Sequence, residues 1–272
     1  MNHRFVGKTA IVTGGTKGLG LGFARRLGAE GARVLITART QAALDATVLE
    51  LQNTGVDAFA VCVDMASPDV GQLVVDAAMQ RWGSVDVLIN NAGLFDEMAF
   101  LDITLDNWNY VINAMLTGPF LLAQAAGRQM VKGGGGAIVN IASIDGHAAD
   151  GPYTSYGAAK AGLMAMTKYI AVELGPHGVR CNSISPGWVD TPMVEAVSSP
   201  EMYAAMRTNF TRVPLRRLLT IDEIASACAF LASDEAAGIT GTDLMVDGGT
   251  MADVYLIPTI DSILDGSSKP GT

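Results

Sequence analysis

Charged residues are what this sequence has least of. Asp, Glu, Lys and Arg make up only 17% of its 272 residues, against the roughly 25% usual in soluble domains. Positive charge is the scarcer sign: 18 Lys and Arg stand against 27 Asp and Glu, a net charge of −9. A phosphate backbone is gripped mainly by cations, so the composition argues against nucleic acid as a partner. Cysteine is also sparse. Cys62, Cys181 and Cys228 are far apart, odd in number and set among apolar residues. No zinc spacing or disulfide framework follows, and the expectation is three reduced core thiols, no metal site and a cytoplasmic location. No apolar stretch approaches the ~18 residues of a membrane span, and no leader pattern opens the chain, so no membrane partner is expected.

Apolar residues and glycine are plentiful. Hydrophobic residues reach 49%, enough for a sizeable core. Apolar runs of strand length fall at 9–13, 33–37, 58–63, 85–89, 137–142, 179–184 and 243–246. They are continuous rather than alternating, as in strands covered on both faces. Helix-length segments lie between them, at 19–31, after Thr40 as N-cap, and at 69–81, 104–131, 155–174 and 222–232. Thr220 and Glu223 have the spacing of a capping box before the last one. Such alternation implies right-handed crossovers, hence an α/β fold with a doubly wound parallel sheet. No linker divides residues 1–272, which read as one domain. Residues 190–219 read as a long functional loop between a strand and a helix. The tail, 250–272, reads as frayed at its polar end.

The first strand run leads into Thr13-Gly-Gly-Thr-Lys-Gly-Leu-Gly20 and then a helix. Glycines there permit a sharp turn and close approach of a ligand to the backbone. Free N–H groups and the helix dipole at that point favour a pyrophosphate. Gly14, Gly18 and Gly20 are spaced G-x-x-x-G-x-G, unlike the strict dinucleotide fingerprint or a P-loop. At the end of the second strand, where an acid would accept from a free ribose 2′-hydroxyl, the chain has Ala38-Arg39, and Lys17 adds a second cation. That choice favours a 2′-phosphate, and so NADP over NAD.

Tyr156 and Lys160 are four residues apart and share one helix face. A phenol titrates near ~10 unaided, and a neighbouring ammonium is expected to lower that value by ~1–3 units. Ser143, ending the fifth strand run, is placed to hold a substrate oxygen against the phenol.

Together with the glycine turn, these residues resemble the short-chain dehydrogenase/reductase family over Lys8 to Gly249. Asn90-Asn91-Ala92-Gly93, Asp64, Pro186-Gly187 with Thr191, Ile239-Thr240-Gly241 and Val246-Asp247-Gly248-Gly249 are similar to the family's ordered motifs. The resemblance implies a seven-stranded Rossmann-like sheet between two helical layers, and often a homotetramer. It implies Tyr156 as general acid/base and Ser143 as stabiliser of the substrate oxygen. Lys160 would bind the nicotinamide ribose and lower the phenol's pKa. The implied cofactor contacts are Gly14, Thr16, Lys17, Gly18, Leu19, Gly20, Arg39, Asp64, Met65, Asn91, Ala92, Gly93, Tyr156, Lys160, Pro186, Gly187, Val189 and Thr191. One position departs from the pattern: Met115 stands before Leu116-Thr117-Gly118 where the family usually has Asn. Asn113, two residues earlier on a helix, should face away.

The expected substrate is a ketone or secondary alcohol, met by Phe95, Ile144, Tyr153, Trp188, Met193 and Met202, with Asp145, His147 and Asp150 as polar candidates. The apolar members favour a bulky, mainly apolar molecule, while the two aspartates leave a polyol or sugar acid open. His147 reads as a surface residue without an acidic partner. An NAD-dependent alcohol dehydrogenase working in oxidation is the alternative. A nucleotide-binding protein impaired by Met115 is a third reading.

Overall fold

The computed structural model describes residues 3–94 and 97–253. Phe95 and the tail beyond Asp253 lie outside them. Seven parallel strands form one sheet: β1 (Thr9–Thr13), β2 (Arg33–Ala38), β3 (Ala58–Cys62), β4 (Val87–Asn90), β5 (Gly136–Ile141), β6 (Val179–Pro186) and β7 (Asp243–Val246), in the order β3-β2-β1-β4-β5-β6-β7. The helices are α1 (Gly18–Ala29), α2 (Gln41–Asn53), α3 (Val70–Trp82), α4 (Leu105–Ile112), α5 (Gly118–Gly133), α6 (Thr154–Leu174), α7 (Pro192–Val197), α8 (Pro200–Thr208) and α9 (Ile221–Ala232). One core joins the sheet to α1, α2 and α9, and a second joins its other face to α3, α4, α5 and α6. Seven strand runs and the three-layer arrangement match the sequence expectation, with ends shifted by a residue or two.

Central strands are buried along their whole length, as continuous apolar runs require. The sheet's two edges, β3 and β7, are partly exposed instead. That leaves the Cys62 thiol at the surface rather than in the core, whereas Cys181 and Cys228 are buried. No described helix is long and apolar enough to cross a membrane.

Two further expectations change. Residues 104–131 are not one helix: a π-helical turn, Asn113–Thr117, separates α4 from α5. Pro119 follows it, and a proline lacks the N–H that would bond the Met115 carbonyl four residues back. The Gly118 N–H reaches instead to the Asn113 carbonyl, five residues back. A Cβ on Gly118 would come within 2.1 Å of the Met65 carbonyl oxygen, so this break is pressed against the segment that follows β3. Residues 190–219 are not a plain loop either. Thr191 caps α7 and Ser199 caps α8, each followed by proline at the first helical position. The insert is pinned at its base where Val189 and Leu219 bridge in parallel.

The strand order reverses between β1 and β4, where the chain leaves the two strands in opposite directions and opens a crevice. Thr13 holds that junction. Its Oγ accepts from the backbone N–H groups of Asn91 and Ala92, both at 2.9 Å. The Asn91 side-chain amide donates to the Thr13 carbonyl at 2.8 Å. Thr13→Val keeps the shape and removes that acceptor, so we expect a loss of about 1–3 kcal/mol. Urea unfolding measures it, and an unshifted midpoint would remove Thr13 from this role.

Candidate active site

All the sequence-named cofactor contacts line a single 520 Å³ cavity at the carboxyl ends of the strands, as do Ser143, Ile144, Asp145, Asp150, Tyr153, Trp188 and Met193. His147 and Met202 do not line it. The glycine turn forms one wall. Gly14 and Gly18 have φ of +65° and +53°, a region other residues enter at a cost. A Cβ on Gly20 would stand 2.1 Å from the Gly14 carbonyl oxygen, so the turn closes on itself. Lys17, at the N-cap of α1, supplies no side-chain acceptor, which leaves the first turn's N–H groups uncapped. This cradle suits a pyrophosphate.

Next along the crevice, Arg39 donates to the Tyr110 hydroxyl at 2.7 Å, and that hydroxyl donates to Asp64 at 3.4 Å. Tyr110, on α4, also lines the cavity and was not named from sequence. No motif marks it, because its place there depends on how α4 lies across the strand ends.

Three side chains meet at the other end. Ser143, just beyond β5, accepts from the Asp145 N–H and donates to the Asp145 carboxylate, both at 3.1 Å. Lys160 is buried and donates to the Ile141 carbonyl at 2.6 Å. Its ammonium nitrogen lies 5.5 Å from the centre of the Tyr156 ring. The expected sharpening of the phenol is not produced by the chain itself. Burial pushes Tyr156 up to about 12, with Ser143 opposing the shift and Asp145 adding to it. Burial likewise pulls Lys160 down to about 8, against the pull of Asp145. Burial takes water from both groups and so favours the neutral form of each. Burial also holds Asp145 above the usual carboxylate range, despite its bond from Ser143.

Met115 is buried, and its methyl end would lie 3.4 Å from a Cβ on Gly93. Asn113 is exposed and does not line the cavity. Asn113 therefore does not reach the place that Met115 fills. His147 has an acidic partner after all: its Nε2 lies 2.8 Å from Asp243 and 3.3 Å from the Ser185 hydroxyl. It ties the β5–α6 loop to β7. Arg212, which sequence reading also missed, bonds Asp150 and lies over the Trp188 ring, both of which line the cavity. The insert supplies it, so only folding brings it near Asp150. Among the described residues, no group of His, Cys, Asp and Glu could hold a metal ion.

The family model described as enoyl-(acyl carrier protein) reductase matches residues 14–251. L-rhamnose 1-dehydrogenase (NAD(P)(+)) of Azotobacter vinelandii is 39% identical over 250 residues, covering 90% of this chain and 96% of its own. The 3-alpha-(or 20-beta)-hydroxysteroid dehydrogenase of Mycobacterium bovis is 36% identical, with 93% of this chain and 92% of its own covered. Among solved structures, 7 alpha-hydroxysteroid dehydrogenase complexed with NADH and a 7-oxo bile acid superposes with a TM-score of 0.85 at 33% identity, covering 91% and 96% of the two chains. The chain belongs to the short-chain dehydrogenase/reductase family, oxidoreductases that act on CH–OH groups with NAD(P).

One consequence of burying Lys160 can be measured without substrate. Its folded pKa, about 8, lies below the ordinary 10.5. The unfolded chain therefore binds more protons between those values, and the penalty is fully present below pH 8 and relieved as pH rises towards 10.5. Lys160→Met should raise the cofactor-free melting temperature at neutral pH, by up to ~3 kcal/mol in stability terms. The gain should shrink through that window, and a gain independent of pH would contradict a buried ammonium.

Proposed function

We propose that this protein is an NADP-dependent carbonyl reductase or alcohol dehydrogenase, interconverting a ketone and a secondary alcohol. The observation that carries the reading is the meeting of Ser143, Tyr156 and Lys160 at one end of the cavity whose other end is the glycine turn. A bound nicotinamide supplies the hydride for reduction or takes it up in oxidation. Tyr156 exchanges the proton at the substrate oxygen. A phenol held near 12 is the protonated donor that ketone reduction needs. Ser143 positions that oxygen. Lys160, fixed by the Ile141 carbonyl, presents its remaining donors to the nicotinamide ribose.

The NADP preference rests on Arg39 and exposed Lys17, and on the lack of any acid at the end of β2. NAD remains the alternative, since the hydroxysteroid dehydrogenase neighbour was solved with NADH. The three convergent side chains favour catalysis over the impaired reading that Met115 suggests. We further infer a cytoplasmic, single-domain protein. Exposed Phe120 on α5 and exposed Tyr169 and Val172 on α6 give it apolar surface to cover in a homotetramer.

Tyr156→Phe should abolish turnover and keep NADPH binding, read by nicotinamide fluorescence. Unchanged turnover would remove Tyr156 from the reaction. Wild-type oxidation should quicken as pH rises, because it needs the phenolate, whereas reduction should not. Parallel assays at equal NADPH and NADH should favour NADPH, and the reverse order would overturn the cofactor assignment.

A further inference from the structure

We propose that the substrate carries a hydroxyl on the carbon next to the reacting one, and that the Asp145 carboxylate receives it. The molecule would be an α-hydroxyketone in reduction and a vicinal diol in oxidation. This narrows the ketone and alcohol reading above and rests on it.

Ser143 has one hydroxyl proton to give. In the structure it goes to Asp145 Oδ2, 3.1 Å away, while the Asp145 N–H fixes the Ser143 oxygen from the other side, also at 3.1 Å. A ketone oxygen can only accept. To be held by Ser143, a simple ketone must break a hydrogen bond to a carboxylate, among the stronger kinds. A hydroxyl on the neighbouring carbon changes the exchange. It donates to Asp145 in place of Ser143, and the Ser143 proton turns to the carbonyl oxygen. The carboxylate keeps the same number of bonds throughout. The geometry suits it, because gauche oxygens on adjacent carbons are about one hydrogen-bond length apart, as are Ser143 Oγ and Asp145 Oδ2.

The carboxylate is also available. Among the described residues, the Ser143 hydroxyl donates to it. Lys160 and Arg212 face it electrostatically, but Lys160 donates to Ile141 and Arg212 to Asp150. Asp145 lines the cavity beside Ser143 and Tyr156. In the reduction, the carbonyl carbon takes the hydride that the dinucleotide supplies, and the carbonyl oxygen takes the Tyr156 proton. A vicinal diol and the oxidised dinucleotide result. The neighbouring hydroxyl keeps its own proton and only changes its hydrogen-bond partner.

Matched ketones test the assignment: cyclohexanone with α-hydroxycyclohexanone, and butanone with acetoin, each assayed with NADPH. The wild type should favour the hydroxyketone in kcat/KM by about tenfold to a hundredfold. In Asp145→Ala both the competing acceptor for Ser143 and the receiver of the substrate hydroxyl are gone, so the ratio should fall to about one. Asp145→Asn, which keeps an acceptor oxygen without the charge, should lie between and serves if the alanine variant does not fold. A role limited to orienting Ser143 would slow both ketones alike and leave the ratio intact. An intact ratio, a wild-type ratio near one, or no turnover of either hydroxyketone by protein that binds NADPH overturns the inference and spares the cofactor reading. Failure to bind NADPH or NADH in a fluorescence titration would instead remove the oxidoreductase reading beneath it.

Discussion

The structure depends on how β1 and β4 are joined at the point where the sheet changes direction. Parallel strands deliver all their following loops to one edge, and at the reversal those loops part. Something must hold the two strand ends together while the crevice opens between them. Thr13 and Asn91 do this, with hydrogen bonds at 2.8 to 2.9 Å between the end of β1 and the end of β4. The glycine turn begins one residue later, and its N–H groups keep their direction only while that junction holds. Asn91 therefore serves the cavity as a tether of its wall as well as by lining it.

Desolvation governs the chemistry at the opposite end. Lys160 and Tyr156 lie on one face of α6, as their spacing requires, yet each is pushed towards its neutral form. Proximity alone does not stabilise a charge that has lost its water. The chain thus prepares a protonated phenol and a weakly held ammonium. The buried Asp145 carboxylate adds to the rise of Tyr156 and opposes the fall of Lys160. One acidic residue accordingly reaches Ser143 by hydrogen bond and the other two through its field.

Around this centre, the segments that depart from regular alternation are the ones that shape the cavity. The π-helical turn before Pro119 lets α4 and α5 take separate paths, and α4 carries Tyr110 to Arg39 and Asp64. The insert at 190–219 brings Arg212 against Asp150. His147 fastens the loop between Ser143 and Tyr156 to Asp243 at the start of β7. Each is a long-range contact made by a residue with no distinctive local pattern.

The sequence by itself determined the strand and helix order, because buried parallel strands must be continuous apolar runs and their crossovers must be amphipathic. It also marked the glycine turn and the Tyr156–Lys160 face, where chemistry follows from spacing along a single element. Local signs were present but unread in two places: Thr191-Pro192 and Ser199-Pro200 start α7 and α8, and Pro119 breaks the long helix. Cys62 was misjudged because its apolar neighbours do not reveal that β3 is an edge. Only the tertiary structure decided the reach of Arg212, the partner of His147, the place of Tyr110 and the direction of the pKa shifts. Those depend on burial and on contacts between distant segments, which exist only once the chain has packed.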